Sequence, residues 1–174
     1  ATDAAGNVST ASTAYSVTVA LSATAPVISS VTDNQTPVTG TVANGGFSND
    51  QTLALAGTAG ANNTVEIFNG GTSLGTTTAD AAGAWTFTTT TLSAGSYSFT
   101  AKATDGAGNV STASSAYDVT VDLTGPSAPV ISTVADDQAP VTGTVAANGS
   151  TNDATLTLSG TAEANSTVTI YNGA

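Results

Sequence analysis

The sequence predicts an all-β protein built from tandem antiparallel β-sandwiches, and three observations carry that prediction. Apolar residues alternate over short runs, turn residues separate those runs, and the whole pattern repeats about a hundred residues later. Residues 1–19 match 103–121 at 16 of 19 positions with an offset of 102, and 26–71 match 129–174 at 30 of 46 with an offset of 103. A period of 102–103 residues is too long for a solenoid unit and suits one autonomous domain. The chain is therefore expected to hold the C-terminal part of one repeat (1–22), one complete repeat (23–123) and the N-terminal half of a third (124–174). The one-residue slip in offset falls between TVALSATAP (18–26) and TVDLTGPSAP (120–129), where a linker tolerates it.

Within the complete repeat each strand shows an inward face of period two. Leu53 and Leu55 share a face in TLALAG, Val65 and Ile67 in TVEIF, and Trp85 and Phe87 in AWTFT. Tyr97, Phe99, Ala101 and Ala103 alternate in SYSFTAKAT, and Tyr117, Val119 and Val121 in AYDVTV. Turn signals stand between them at NGG (69–71), DAAG (80–83), LSAG (92–95) and DGAGN (105–109). About seven short strands in this length give an antiparallel sandwich. LSAGSYSF (92–99) has the order of an immunoglobulin-type F strand: a small-residue turn, a Tyr placed for a tyrosine corner, and a core residue two positions on. Phe99 stands where antibody domains put a cysteine.

Composition excludes several functions. Of 174 residues, 12 are acidic and Lys102 is the sole Lys or Arg, giving a formal charge of -11. One cation cannot neutralise a phosphate backbone or dock on an anionic membrane, so neither nucleic acid nor a membrane surface is an expected partner. The charge sign favours metal cations. Without His or Cys the usual bases and nucleophiles are missing, and the carboxylates fall in loops instead of one cleft, so no enzyme is expected. Glu66 alternates outward beside Val65 and Ile67, as a solvated strand residue does. No apolar run reaches the roughly 20 residues of a spanning helix. Lack of cysteine means no disulfide, which also suits a chain exported unfolded.

Four motifs resemble a known family. They are V-D-x-T-x-P-x-A-P-V-I (121–131), P-V-T-G-x-V (37–42 and 140–145), T-L-x-L-x-G-T-A (52–59 and 155–162) and A-T-D-x-A-G-N-V-S (1–9 and 103–111). In this order and spacing they resemble the bacterial immunoglobulin-like tandem repeats of very large surface adhesins, including biofilm-associated proteins exported by type I secretion. The resemblance implies an extracellular stalk at the bacterial cell surface, which extends a binding tip and often carries calcium at domain junctions. The expected partners are neighbouring repeats of the same chain and Ca²⁺, with the host or surface target bound elsewhere in the protein.

An immunoglobulin-like path assigns each acid to an end of the sandwich. Asn49, Asp50 and Asp122 fall at the bottom, and the turn carrying Asp105 and Asn109 falls at the top with Asp80. Stacked domains would bring the two sets together, and Asn152 and Asp153 repeat the first pair. Six to eight hard oxygens at about 2.3–2.6 Å are what Ca²⁺ takes, so these residues are the candidate ligands. The Asp-x-Ala-Gly-Asn segment is also a good turn on its own, because Asx side chains cap local backbone. Ala20 occupies the position matching Asp122, so the first junction is expected to bind calcium more weakly than the second, or not at all. A competing reading is a carbohydrate- or surface-binding sandwich that uses outward threonines such as those at 88–91, or Trp85 as a sugar platform.

Overall fold

The structure is a computed structural model that describes residues 1–17, 19 and 21–172. The chain divides into two compact units, Ala1–Leu123 and Thr124–Ala174. All regular structure among the described residues is β.

The first unit contains a two-sheet sandwich. Its strands are Val27–Asp33 (β1), Gly40–Val42 (β2), Gly46–Ser48 (β3), Ala54–Thr58 (β4), Thr64–Asn69 (β5), Thr72–Thr78 (β6), Ala84–Thr88 (β7), Gly95–Thr104 (β8) and Tyr117–Val121 (β9). One sheet has the order β2-β1-β4-β7 and the other β3-β9-β8-β5-β6. Neighbours are antiparallel apart from β3 and β9, which run parallel with Gly46, Phe47 and Ser48 beside Val119, Thr120 and Val121. The expected seven strands become nine because the opening segment changes sheets. Val42 ends β2 in one sheet, and Gly46 begins β3 in the other. Gly45 makes the crossing at φ +82°, a region that disfavours a Cβ. Asn44 fixes the crossing to β9 by accepting the Asp118 N–H at 2.8 Å.

The alternation read from the sequence faces inward as expected. Leu53, Leu55 and Trp85 from one side meet Val65, Ile67, Phe99, Ala101, Val119 and Val121 from the other, all buried. Each fully buried Leu, Ile or Phe contributes roughly 1.5–3 kcal/mol through area removed from water. Trp85 is only 2 % exposed, which makes it a core residue. It crosses β4 at Gly57, where a Cβ would stand 2.5 Å from its Cζ2 and still closer to the Val27 carbonyl. The tyrosine corner is present: the Tyr97 hydroxyl donates to the Ser93 carbonyl at 2.9 Å and accepts the Ser93 N–H at 3.1 Å. Its ring stacks on Phe99 with centroids 5.9 Å apart. On the outer face Lys102 lies 5.6 Å above the Phe68 ring, and Glu66 accepts a hydrogen bond from Ser73 at 2.6 Å.

The strand directions give the sandwich an entry pole and an exit pole. Val27 pairs with Thr58, and the Ala59 N–H bonds the Gly83 carbonyl, so β1 starts where β4 ends and β7 begins. Thr64 pairs with Thr104, which puts the β8–β9 turn at the start of β5. The Asn62 N–H reaches the Asp80 carbonyl, joining the loops before β5 and β7 at this entry pole. At the exit pole lie the end of β1, the segment before β4 and the end of β9.

The second unit repeats the opening of the first. Val130–Asp136 (β10), Gly143–Thr144 (β11) and Thr157–Thr161 (β12) form a sheet of order β11-β10-β12. Even the irregularity recurs, between Ile28 and Ser30 in β1 and between Ile131 and Thr133 in β10. Residues 167–172, which match β5, form no strand. In the first unit that segment is held by β6 and β8, for which this unit has no counterpart among its described strands.

Candidate functional site

Two polar clusters occupy the poles of the sandwich, and the candidate ligands divide between them. At the exit pole three buried polar residues form a relay, which Asp50 joins through its backbone N–H. The Asp50 N–H donates to the Ser48 hydroxyl at 3.0 Å, and that hydroxyl donates to the Asp33 carboxylate at 2.6 Å. Asp33 also accepts the Gln35 N–H at 2.7 Å. Asp50 accepts the Asn34 N–H at 3.0 Å on one oxygen, with the Thr52 N–H at 2.7 Å and the Thr52 hydroxyl at 3.0 Å on the other. Burial pushes the Asp50 carboxyl up, but the Asn34 amide and the Thr52 amide and hydroxyl outweigh it and hold the group below its ordinary value.

Beside the relay, Asn49 donates to the Thr36 carbonyl at 3.0 Å, while its Oδ1 is buried without a hydrogen-bond partner. The Asp122 N–H bonds the Ser48 carbonyl at 2.9 Å. Asn49 and Asp122 line one open groove of about 380 Å³ together with Asp33, Pro37, Val38, Phe47 and Ser48. Asn49 and Asp50 line a second with Gln35 and Thr52. Asn49, Asp50 and Asp122 therefore share one end of the domain.

At the entry pole the Asp-x-Ala-Gly-Asn turn closes on its own carboxylate. Asp105 Oδ1 accepts the Ala107 and Asn109 N–H groups, both at 2.9 Å, and Oδ2 accepts the Asn109 side-chain amide at 3.0 Å. These donors, the Asn109 side chain foremost, lower the Asp105 pKa. Asp3 repeats the arrangement with Ala5 and Asn7 and is lowered for the same reason. Asp80 makes a smaller version, accepting the Ala82 and Ala84 N–H groups at 2.8 and 2.9 Å. The turn role of these aspartates is thus visible in full.

The second unit rebuilds the exit-pole cluster. Asn152 donates to the Ala139 carbonyl at 3.1 Å. Asp153 accepts from the Asp137 N–H at 3.1 Å and from the Thr155 N–H and hydroxyl at 2.7 and 3.0 Å. The amides of Thr155 and Asp137 lead the donors that lower its pKa. Thr151 takes the place of Ser48 and donates to Asp136 at 2.5 Å. Asp33, Ser48, Asp136 and Thr151 were absent from the candidates read in the sequence. The signal was there: the repeat keeps Asp and a hydroxyl at these positions while Thr32, Asn34 and Phe47 change to Ala135, Asp137 and Ser150.

As a metal site, each pole offers part of a donor set. Among the described residues no three acidic side chains gather closely enough to hold a metal ion. Hydrogen bonds within the turns already use the Asp50 and Asp105 carboxylates, which leaves Asn49 Oδ1 as the unpartnered buried oxygen at the exit pole. Ala20, the position compared with Asp122, lies outside the described residues.

A two-sheet sandwich with a tyrosine corner and strands that switch sheets is an immunoglobulin-type architecture. Residues 23–123 match the family described as bacterial Ig-like domain. The chain belongs to that family. The matched stretch covers all nine strands of the first sandwich, so the complete Ig-like domain is the one whose poles are described above. A solved structure of Clostridium thermocellum CbhA fibronectin(III)-like modules is similar at 24 % identity, over 55 % of this chain and 98 % of that chain, with a TM-score of 0.39. No curated protein matches the sequence.

Proposed function

We propose that these Ig-like repeats are spacers in an extracellular stalk of a large bacterial surface adhesin, extending a binding tip in adhesion or biofilm formation. The observation that carries this reading is the polarity of the domain. The chain enters the sandwich at one pole, at Val27, and leaves it at the opposite pole, at Asp122. A repeat whose ends lie at opposite poles lengthens a chain with each copy. Closely similar repeats with a Thr- and Ser-rich surface of few charges suit a spacer better than a dedicated binding module. Trp85 lies in the core, so the carbohydrate reading loses its aromatic platform.

Calcium belongs to the same proposal as the agent that stiffens the junctions. Asn49, Asp50 and Asp122, with Asn152 and Asp153 in the next repeat, would supply oxygens from the exit pole, and the turn of Asp105 and Asn109 from the entry pole. A divalent ion would cancel carboxylate repulsion and couple domains that share little apolar surface. Small-angle scattering on proteins of two, three and four repeats tests both parts. The spacer reading expects the maximum dimension to grow by about 35 Å per repeat, from strands rising roughly 3.3 Å per residue. The calcium reading expects a chelator to shorten it; growth without any chelator effect removes calcium alone.

A further inference from the structure

Among the described residues, every non-glycine with a left-handed backbone is an asparagine: Asn62, Asn148 and Asn165, at φ +59°, +63° and +64°. Each is the third residue of a four-residue turn. The turns are closed by the N–H groups of Asn63, Gly149 and Ser166 on the carbonyls of Gly60, Ala146 and Glu163. A positive φ at that position calls for Gly or Asn, so the turn alone accounts for the asparagine. It does not account for the hydroxyl that stands two residues on in all three cases. The triplets are Asn62-Asn63-Thr64, Asn148-Gly149-Ser150 and Asn165-Ser166-Thr167. Asn-x-Ser/Thr at a surface turn is the acceptor pattern for N-linked sugar.

The structure sorts the Asn-x-Ser/Thr triplets of this chain into two groups. In the first, both ends of the triplet are exposed at Asn62 and Thr64, Asn148 and Ser150, and Asn165 and Thr167. The side-chain amides of these three asparagines make no hydrogen bond among the described residues. In the second group, Asn7 and Asn109 donate their amides to Asp3 and Asp105 at 2.9 and 3.0 Å. Asn34 directly follows the buried Asp33, and Pro37 keeps its Thr36 extended. The repeat also preserves the ends of one triplet and changes its middle. Asn62 and Thr64 return as Asn165 and Thr167, while Asn63 becomes Ser166. Asn62 belongs to the complete sandwich, so its exposure is that of a finished domain.

We propose that Asn62, Asn148 and Asn165 are acceptors for N-linked sugar, carried to them as a sugar diphosphate. In the transfer, the carboxamide nitrogen attacks the anomeric carbon and a C–N bond forms. The bond from that carbon to the phosphate oxygen breaks, and the diphosphate leaves with the electron pair. The amide proton passes to a base of the transferase. Nothing is oxidised or reduced. The carrier of the diphosphate is a nucleoside or a polyprenyl lipid, and both present the same reacting carbon. This assignment is independent of the spacer and calcium reading.

The test is peptide mass spectrometry on the folded full chain after two separate incubations. One uses a soluble transferase for Asn-x-Ser/Thr with UDP-glucose, and the other a membrane transferase in vesicles with a polyprenyl diphosphate-linked glycan. Sugar is expected on Asn62, Asn148 and Asn165, and the incubation that delivers it names the carrier. Thr64→Ala should abolish addition at Asn62 and leave Asn148 and Asn165 modified, and Thr64→Ser should restore it. Thr64 is exposed, so neither substitution disturbs the core. No sugar in either incubation, as much sugar on Asn7, Asn34 or Asn109, or an Asn62 still modified after Thr64→Ala would overturn the proposal.

Discussion

The two units share a local design and differ in what surrounds it. β1, β2 and β4 reappear as β10, β11 and β12 with the same order, the same irregularity and the same aspartate-centred hydrogen bonds. Both also carry a cis peptide before the matching proline, Pro37 and Pro140. Yet the inward face of one is sealed and that of the other is open. Turns, bulges and the relay at the exit pole are built from the same stretch of sequence in both units. Burial is the part that depends on β7, β8 and β9. The difference separates what local chemistry can build from what long-range pairing must add.

The sharpest way to break the comparison is a matched pair of truncations. Leu55→Ala is expected to cost about 2–5 kcal/mol, as for a sealed core position. Leu158→Ala is expected to change stability by about 0.5 kcal/mol or less, as for an open surface. Urea unfolding followed by Trp85 fluorescence measures the first, and hydrogen exchange on β12 amides the second. Equal costs would mean that the two faces are alike in solution.

The relay comes next in size. Asp33→Ala removes the acceptor of the Ser48 hydroxyl and the Gln35 N–H, and about 1–3 kcal/mol should be lost. Ser48→Thr should be tolerated, since Thr151 fills that role in the second unit. A stable Asp33→Ala protein by urea midpoint would show the relay to be incidental.

Among the described residues the tyrosine corner belongs to the first unit, so Tyr97→Phe sharpens the contrast. Loss of the two Ser93 bonds should lower stability by about 0.5–1.5 kcal/mol without touching the second unit. Calorimetry that resolves no change in the melting temperature would contradict this.

The smallest effect is the acid limb, and here the units should agree. Asp50, Asp105 and Asp153 all have folded pKa values below the ordinary 3.8. Their contribution is therefore complete above the unfolded value near 4 and is lost as pH falls through the lower folded values. Urea midpoints at pH 7, 5 and 3 should fall mainly in the last interval. Asp105→Asn should flatten that fall, and an unchanged slope would remove the turn carboxylate from the balance.

Much of the fold was legible because period-two alternation is a direct imprint of half-buried strands. Leu53 and Leu55, or Phe99 and Ala101, could only face one way. The Tyr97 corner was legible for a similar reason, since its order of residues has one geometric use. The change of sheet at Gly45 was harder to see. β2 and β3 are three residues each, too short for alternation to register. Asp33 was missed because an acid at an inward strand position reads as the end of the strand. Its burial makes sense only once the Ser48 hydroxyl arrives from β3 and the nearby Gln35 N–H turns back onto it. The poles of the candidate ligands followed from topology, whereas the hydrogen bonds that consume their oxygens are local events no spacing rule reveals.

The side-by-side alignment of β3 and β9 has a mechanical consequence. Tension applied between Val27 and Asp122 reaches β3 only after β1 has been drawn from β4 and β2, and it then draws β3 and β9 past each other along their length. Their cross-links, at Gly46, Phe47 and Ser48, are thereby loaded in shear and must fail as a group. Antiparallel pairs peeled from one end give way bond by bond, so a short parallel patch at the exit makes the module yield late and abruptly. Optical-trap traces with gradual yielding at that patch would refute this.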